Sequence, residues 1–257
     1  MEIITNKEDA LKAVKKNGYA LEYANEELKA DKEVILEAVK QNGHALEYAS
    51  DKLKADKEVV LEAIRQNGHA LEYASEELRN DKKMLLAAVK QNGLALKCAN
   101  NELRSNKEVV FKAVKESGFA LQYASEELRN DKRIVLEAVK ESGFSLKFAS
   151  EELRNNKEIV SAAVKKNGEA LSFSSEELKA GKEVVLEAIK QNGLALRYVS
   201  EELRQDKEIL YILKDFLVGN QEKFSKEYEL LIRYEREDKI IRNLDEKEKS
   251  TKIRKKV

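Results

Sequence analysis

The residues best equipped for chemistry in this chain are two histidines and one cysteine. His44 and His69 are its only imidazoles, 25 residues apart, and Cys98 is its only thiol. Two imidazoles could supply half of a tetrahedral metal site, but no cysteine or carboxylate stands beside either at a recognised ligand spacing. Cys98 would need a histidine base to act as a nucleophile, and the pattern around it supplies none. It is read instead as a small apolar residue in a core position. No glycine-rich phosphate loop, metal motif or catalytic triad is present. The sequence therefore predicts a protein that is not an enzyme, with no catalytic residue, no metal and no cofactor.

Binding chemistry is better represented. Lysines recur from Lys7 and Lys32 to Lys207, and a second basic series runs from Lys29 and Lys54 through Arg79, Arg104, Arg129 and Arg154 to Lys179 and Arg204. Cations at a fixed spacing could track a phosphate backbone. The chain also ends on Lys252, Arg254, Lys255 and Lys256, which could add to such a contact or be a solvated tail. Against this, Lys plus Arg and Asp plus Glu number 48 each, so no bulk field attracts nucleic acid or membrane. Glu26, Glu76, Glu126, Glu151, Glu176 and Glu201 form an acidic series near the basic ones. Salt bridges between repeats would account for both signs together.

The elements that carry these residues follow from one period. Gly18, Gly43, Gly68, Gly93, Gly118, Gly143, Gly168 and Gly193 fall 25 residues apart without insertion or deletion, the mark of a repeat array. The complete absence of proline favours helix throughout. In the second copy, Asp31 is a good N-cap and Val34, Ile35, Ala38 and Val39 make one apolar stripe. Asn42-Gly43 then ends the helix, with glycine expected in the left-handed position after it. A shorter helix over Ala45 to Ala49 follows, then Ser50, a cap residue opening a turn that carries Leu53. Gly181 is the one weak helix cap among the counterparts of Asp31.

No unit of this size buries its apolar face alone, so copies must stack. The expected fold is all-α: an α-solenoid of eight 25-residue long helix–short helix–turn repeats. Residues 1–218 make the array, including a ninth long helix from Asp206. Residues 219–257 are expected to form a helical C-terminal cap and a basic tail. Asp9, polar where other copies are apolar, suits an exposed first repeat.

The string Leu-x-Tyr-Ala-Ser-Glu-Glu-Leu-Arg-Asn-Asp-Lys-x-x-x-Leu-x-Ala-Val-Lys-x-x-Gly occurs at Leu71 to Gly93 and again at Leu121 to Gly143. It resembles the repeat named domain of unknown function 4116 (DUF4116), over about residues 6 to 218. Cys98, Ser161 and Gly181 depart from the pattern at single positions. The resemblance implies a multi-copy repeat of bacteria and protists, sometimes in effector-like proteins, and carries no agreed activity, cofactor or catalytic residue.

Comparison among the copies separates positions the stack requires from positions left free. The positions of residues 12, 16, 19 and 22 vary, each pair sharing a helix face. The residue after each glycine reads Tyr19, His44, His69, Leu94, Phe119, Phe144, Glu169 and Leu194. Exposed, Leu94, Phe119 and Phe144 would form an apolar stripe for a protein partner; half-buried, the same position would pack on the next repeat. The expected function is a scaffold binding a protein partner through Tyr19, His44, His69, Leu94, Phe119, Phe144 and Leu194, with an effector or inhibitor as one form of it. The alternatives are an RNA- or nucleoprotein-binding module using the basic series, and a spacer or self-assembly element. The N-terminus lacks a signal-peptide pattern and no run has the length of a membrane span. A cytoplasmic protein is expected, or one delivered into a target cell without a cleaved signal.

Overall fold

The computed structural model describes residues 3–217, so the expected cap and tail over 219–257 lie outside the described residues. The chain divides into two compact units, Met1–Arg154 and Asn155–Val257. The first holds the long helices Lys7–Lys16, Lys32–Gln41, Lys57–Gln66, Lys82–Gln91, Lys107–Glu116 and Lys132–Glu141. The second holds Lys157–Lys166, Lys182–Gln191 and Lys207–Leu217. Apart from an isolated bridge at Ile4, the described residues are helical with short connections, in repeating units of the expected length.

Each complete copy has three helices. The long helix starts where the cap side chain takes orphan amides: the Asp31 carboxylate accepts from the Glu33 and Val34 amides at 2.9 and 3.2 Å. Val34, Ile35, Ala38 and Val39 are fully buried, each large side chain contributing about 1.5–3 kcal/mol. The second helix, expected as a short α-helix, is a six-residue 3-10 helix, Gly43–Tyr48. Its N-cap Asn42 accepts from the His44 amide, and its end is closed by the Ala49 amide donating to Leu46 at 3.1 Å. Such tight helices are stable only as short pieces, and two nearby caps keep this one short. The expected turn carrying Leu53 is a one-turn α-helix, Asp51–Lys54.

The recurring glycine has a different role from the one expected. Asn42, which ends the long helix, is extended (φ −152°, ψ 113°), and Gly43 opens the 3-10 helix. None of Gly18, Gly43, Gly68, Gly93, Gly118 and Gly168 takes the left-handed conformation. Glycine is required here for space. A Cβ on Gly18 would come within 2.6 Å of the Ala38 carbonyl oxygen, and one on Gly68 within 2.5 Å of that of Ala88. At Gly43, Gly93, Gly118 and Gly168 the clearance is smaller still. Each of these glycines lies against the last turn of the following long helix.

A backbone rail joins consecutive copies on another side. The Ser50 amide donates to the Lys29 carbonyl at 2.9 Å, Ser75 to Lys54 at 2.8 Å and Ser125 to Arg104 at 3.0 Å; in the second unit Ser200 donates to Lys179 at 3.1 Å. At the first copy, Ile4 takes the place that Lys29 and its counterparts hold for later copies. Its carbonyl accepts from Asn25 at 3.0 Å and its amide donates to Tyr23 at 2.8 Å.

Two glycine substitutions are expected to act in opposite directions. Gly68→Ala should destabilise the chain by about 1–3 kcal/mol through the clash with Ala88. Gly181→Asp should stabilise it by about 1 kcal/mol, because that helix lacks a side-chain cap and the added Cβ, 3.3 Å from the Leu178 carbonyl oxygen, asks for only a small shift there. Urea unfolding of both variants checks this, and equal signs would contradict it.

Candidate interaction face

Within each unit, the side chain after the glycine sits where two copies meet. Within the first unit, the His44 Nε2 lies 2.8 Å from the Asn67 side-chain nitrogen, and the His69 Nε2 lies 2.6 Å from that of Asn92. Each asparagine oxygen already accepts an amide, from His69 at 2.9 Å and Leu94 at 2.9 Å. The asparagine nitrogen must therefore donate, which leaves the imidazole Nε2 as acceptor. In the second unit Asn192 donates to Glu169 at 3.1 Å and caps Leu194 at 3.0 Å. Where the residue after glycine is Leu94 or Phe119, the facing cap is Ser117 or Ser142, and neither serine makes a cap bond. An apolar side chain offers no acceptor, so an asparagine there would gain nothing by spanning the joint.

This position is thus a packing joint whose outer edge remains accessible. His44, His69, Leu94, Phe144 and Leu194 are half-buried. Tyr19 and Phe119 are 41% and 40% exposed. Phe119 meets Phe148 of the next copy edge-on at 6.2 Å, and His44 meets Tyr73 in the same way at 5.8 Å. The histidines are each committed to a separate asparagine. Among the described residues no group of three His, Cys, Asp or Glu is placed to hold a metal ion.

Beside the joint run two more rows on the 3-10 helices. Glu22, Glu47, Glu72, Lys97, Gln122 and Lys147 are exposed. Tyr23, Tyr48, Tyr73, Cys98, Tyr123 and Phe148 are half-buried. The expectation that Cys98 sits in the core is corrected: its row lies at the edge of this face, because the 3-10 helix turns Gly93, Ala95 and Leu96 inward and leaves Cys98 half-buried. Burial, and then Glu72, push the Cys98 thiol above its ordinary pKa despite nearby Lys97, Arg79 and Arg104. A raised pKa makes a poor nucleophile. Burial, followed by Glu22 and Glu47, raises Tyr48 similarly.

The two basic series are largely occupied. Lys7 reaches Asp31 and Glu33 at 2.7 and 2.8 Å, and Lys32 reaches Asp56 and Glu58 at the same distances. Lys57 pairs with Asp81 at 3.3 Å, Lys107 with Asp131 at 3.0 Å and Lys182 with Asp206 at 2.8 Å. Where the next cap is Asn106 or Gly181, the lysine turns to the glutamate two residues on: Lys82 to Glu108 at 2.8 Å, and Lys157 to Glu183. Bridges between repeats are therefore present, but through the cap carboxylates and the first-turn glutamates beside them. The acidic series expected to serve pairs locally, Glu26 with Lys29 at 3.0 Å and Glu176 with Lys179 at 2.6 Å.

The second basic series folds back on its own copy. Arg104 donates to the Lys97 carbonyl at 2.6 Å, and Arg204 to the Val199 and Arg197 carbonyls at 2.9 and 3.0 Å. The Nε atoms of Arg104, Arg129 and Arg154 are buried without a partner. Arg79 lines a cleft described below, and Lys252, Arg254, Lys255 and Lys256 lie outside the described residues. No helix among the described residues is long and apolar enough to cross a membrane.

The family model described as "Domain of unknown function (DUF4116)" matches residues 6–54, 56–104, 106–152, 133–179 and 182–213. The first two matches each span two of the 25-residue copies. No curated protein and no solved structure matches the chain.

The lysine–carboxylate series predicts the response to pH. The Lys32 ion pair, partly opposed by burial and helped by the Val59 and Glu58 amides, holds Asp56 below the usual carboxylate range. Burial alone would raise Asp31, but Lys7 and the Val34 amide outweigh it and lower its pKa. Hydrogen bonds from Lys82 and Lys112 bring Glu108 down to about 2. A carboxylate lowered on folding stabilises the fold above its unfolded pKa and loses that contribution as pH falls through the folded value. The melting temperature should hold from neutral pH to about pH 5 and drop below about pH 4. Asp56→Asn should make the drop shallower, as should 1 M salt. A melting temperature flat to pH 3 would contradict this account.

Proposed function

The chain belongs to the DUF4116 family, and from that premise we propose that it is a non-enzymatic repeat scaffold binding a protein partner along its 3-10-helix face. The observation that carries the reading is a contrast within each copy. Caps, glycine and buried residues recur with the same backbone, whereas the outward residues at the joint and on the neighbouring row change identity. Glu22, Glu47 and Glu72 give way along this row to Lys97, Gln122 and Lys147. Tyr19 and Phe119 expose large apolar surface beside them. Aromatic edges amid variable charge suit a protein surface, where such anchors carry most of the binding energy.

A phosphate backbone is less well matched. It needs a run of cations free to exchange counterions, while the lysine series neutralises cap and first-turn carboxylates, and Arg104 and Arg204 donate to carbonyls of their own copies.

Tyr19→Glu and Phe119→Glu separate binding from folding. Each should keep the helical circular dichroism, with a melting cost of about 1 kcal/mol for Phe119 from its lost contact with Phe148. Capture of a nuclease-resistant protein by the tagged chain should fall sharply in both variants. Undiminished capture in both, or recovery of nuclease-sensitive RNA alone, would overturn the proposal.

A further inference from the structure

The row of rings at the edge of the 3-10 face is broken at one position, and a cleft opens there. Tyr73 and Tyr123 flank the break in sequence register, and Cys98 occupies it. The cleft, about 270 Å³, is lined on one side by Glu72, Glu76, Arg79 and Asn80 and on the other by Lys97, Cys98, Ala99, Asn100 and Arg104. That volume lies just below the usual range for a drug-sized ligand and suits a single ring with one substituent.

The charges at the cleft depart from the repeat together with the ring. In the other copies an acidic residue stands three residues before the basic one, and Glu26 pairs in this way with Lys29, Glu151 with Arg154 and Glu176 with Lys179. Before Arg104 that position is Asn101, which carries no charge. Arg104 keeps one bond, to the Lys97 carbonyl, while its Nε, like those of Arg129 and Arg154, is buried without a partner. Lys97, in a position held by glutamate in the three preceding copies, ties up Glu72 at 3.1 Å. Of the lining charges, Glu76 alone then stands against Arg79 and Arg104. The balance is positive, and two arginines line one small volume.

We propose that this cleft binds a planar ring bearing an oxyanion, either a phosphate monoester or a carboxylate. The ring occupies the volume released by the absent tyrosine, and the oxyanion takes the guanidinium groups of Arg79 and Arg104, whose fork geometry matches both anions. The raised pKa of Cys98 fits a space-making role. The site rests on its own geometry and needs no protein partner, so its failure and that of the scaffold reading are distinguishable.

Titration of the full chain with phenyl phosphate, benzoate, inorganic phosphate and phenol, followed by calorimetry or NMR, tests this. At least one of phenyl phosphate and benzoate should bind about tenfold or more tighter than inorganic phosphate and phenol, since a charge-assisted pair and a ring contact act together. The stronger of the two identifies the anion. Cys98→Tyr should fill the cleft and abolish binding with the melting temperature kept or raised, whereas Cys98→Ser should bind as the parent does. Arg104→Gln should weaken binding about tenfold. Should Cys98→Tyr not fold, Arg104→Gln and Asn101→Glu, which restores the missing carboxylate, decide the matter. Binding unchanged in these variants, inorganic phosphate binding as tightly as phenyl phosphate, or no binding by either aryl anion would overturn the proposal.

Discussion

The close approach of a glycine to a carbonyl in the last turn of the following long helix, at Gly18, Gly43, Gly68, Gly93 and Gly118 in the first unit and Gly168 in the second, sets the geometry of the stack within each unit. An ordinary residue at Gly43 or Gly93 would drive its Cβ into the backbone of the next copy. With only hydrogen there, the 3-10 helix settles against the last helical turn, and the next asparagine comes within reach of the side chain after the glycine. The absence of insertions follows. One added residue would rotate every buried position off the shared core, because the apolar residues of consecutive long helices meet in a fixed register. The alanines at Ala38, Ala63 and Ala88 belong to the same constraint, being fully buried and supplying the carbonyls on which the glycines rest.

Polar groups do two tasks each, which is how a unit so small satisfies its helix ends. Asp56 caps its own helix through one oxygen and receives Lys32 through the other. Asn67 caps its own 3-10 helix and donates across the joint to His44. The lysine that opposes the helix dipole in its own first turn is offset by the cap carboxylate of the next copy. Local capping and coupling between copies are therefore one set of bonds, and a cap substitution is felt in two copies at once. Charge spent this way is unavailable to an external polyanion, and the 3-10 face is left to carry variation.

That face changes gradually and then breaks at one point. The exposed row passes from glutamates to lysines across the first unit, while the rings beside it run unbroken until Cys98. A regular array makes such a departure conspicuous. A lost ring at Cys98 and a gained cation at Lys97 line the same cleft, and Asn101 withholds a carboxylate from Arg104, which lines it too.

Much of this was legible without coordinates. The period, the cap residues, the apolar stripe of Val34, Ile35, Ala38 and Val39, and the weak cap at Gly181 depend on local chemistry, which a single copy already contains. The residues that vary were legible too, because eight copies allow comparison within one chain. What a copy does next to its neighbour was not. Glycine after a helix reads as a left-handed terminator in isolation, and only the neighbouring carbonyl reveals that it makes room. The glutamates nearest the lysines in sequence were natural partners, yet the cap aspartates one repeat away are nearer in space. The half-exposure of the tyrosine row and the cleft at Cys98 have the same origin. They depend on how far one copy turns against the next, and that is decided by contacts between residues a full repeat apart.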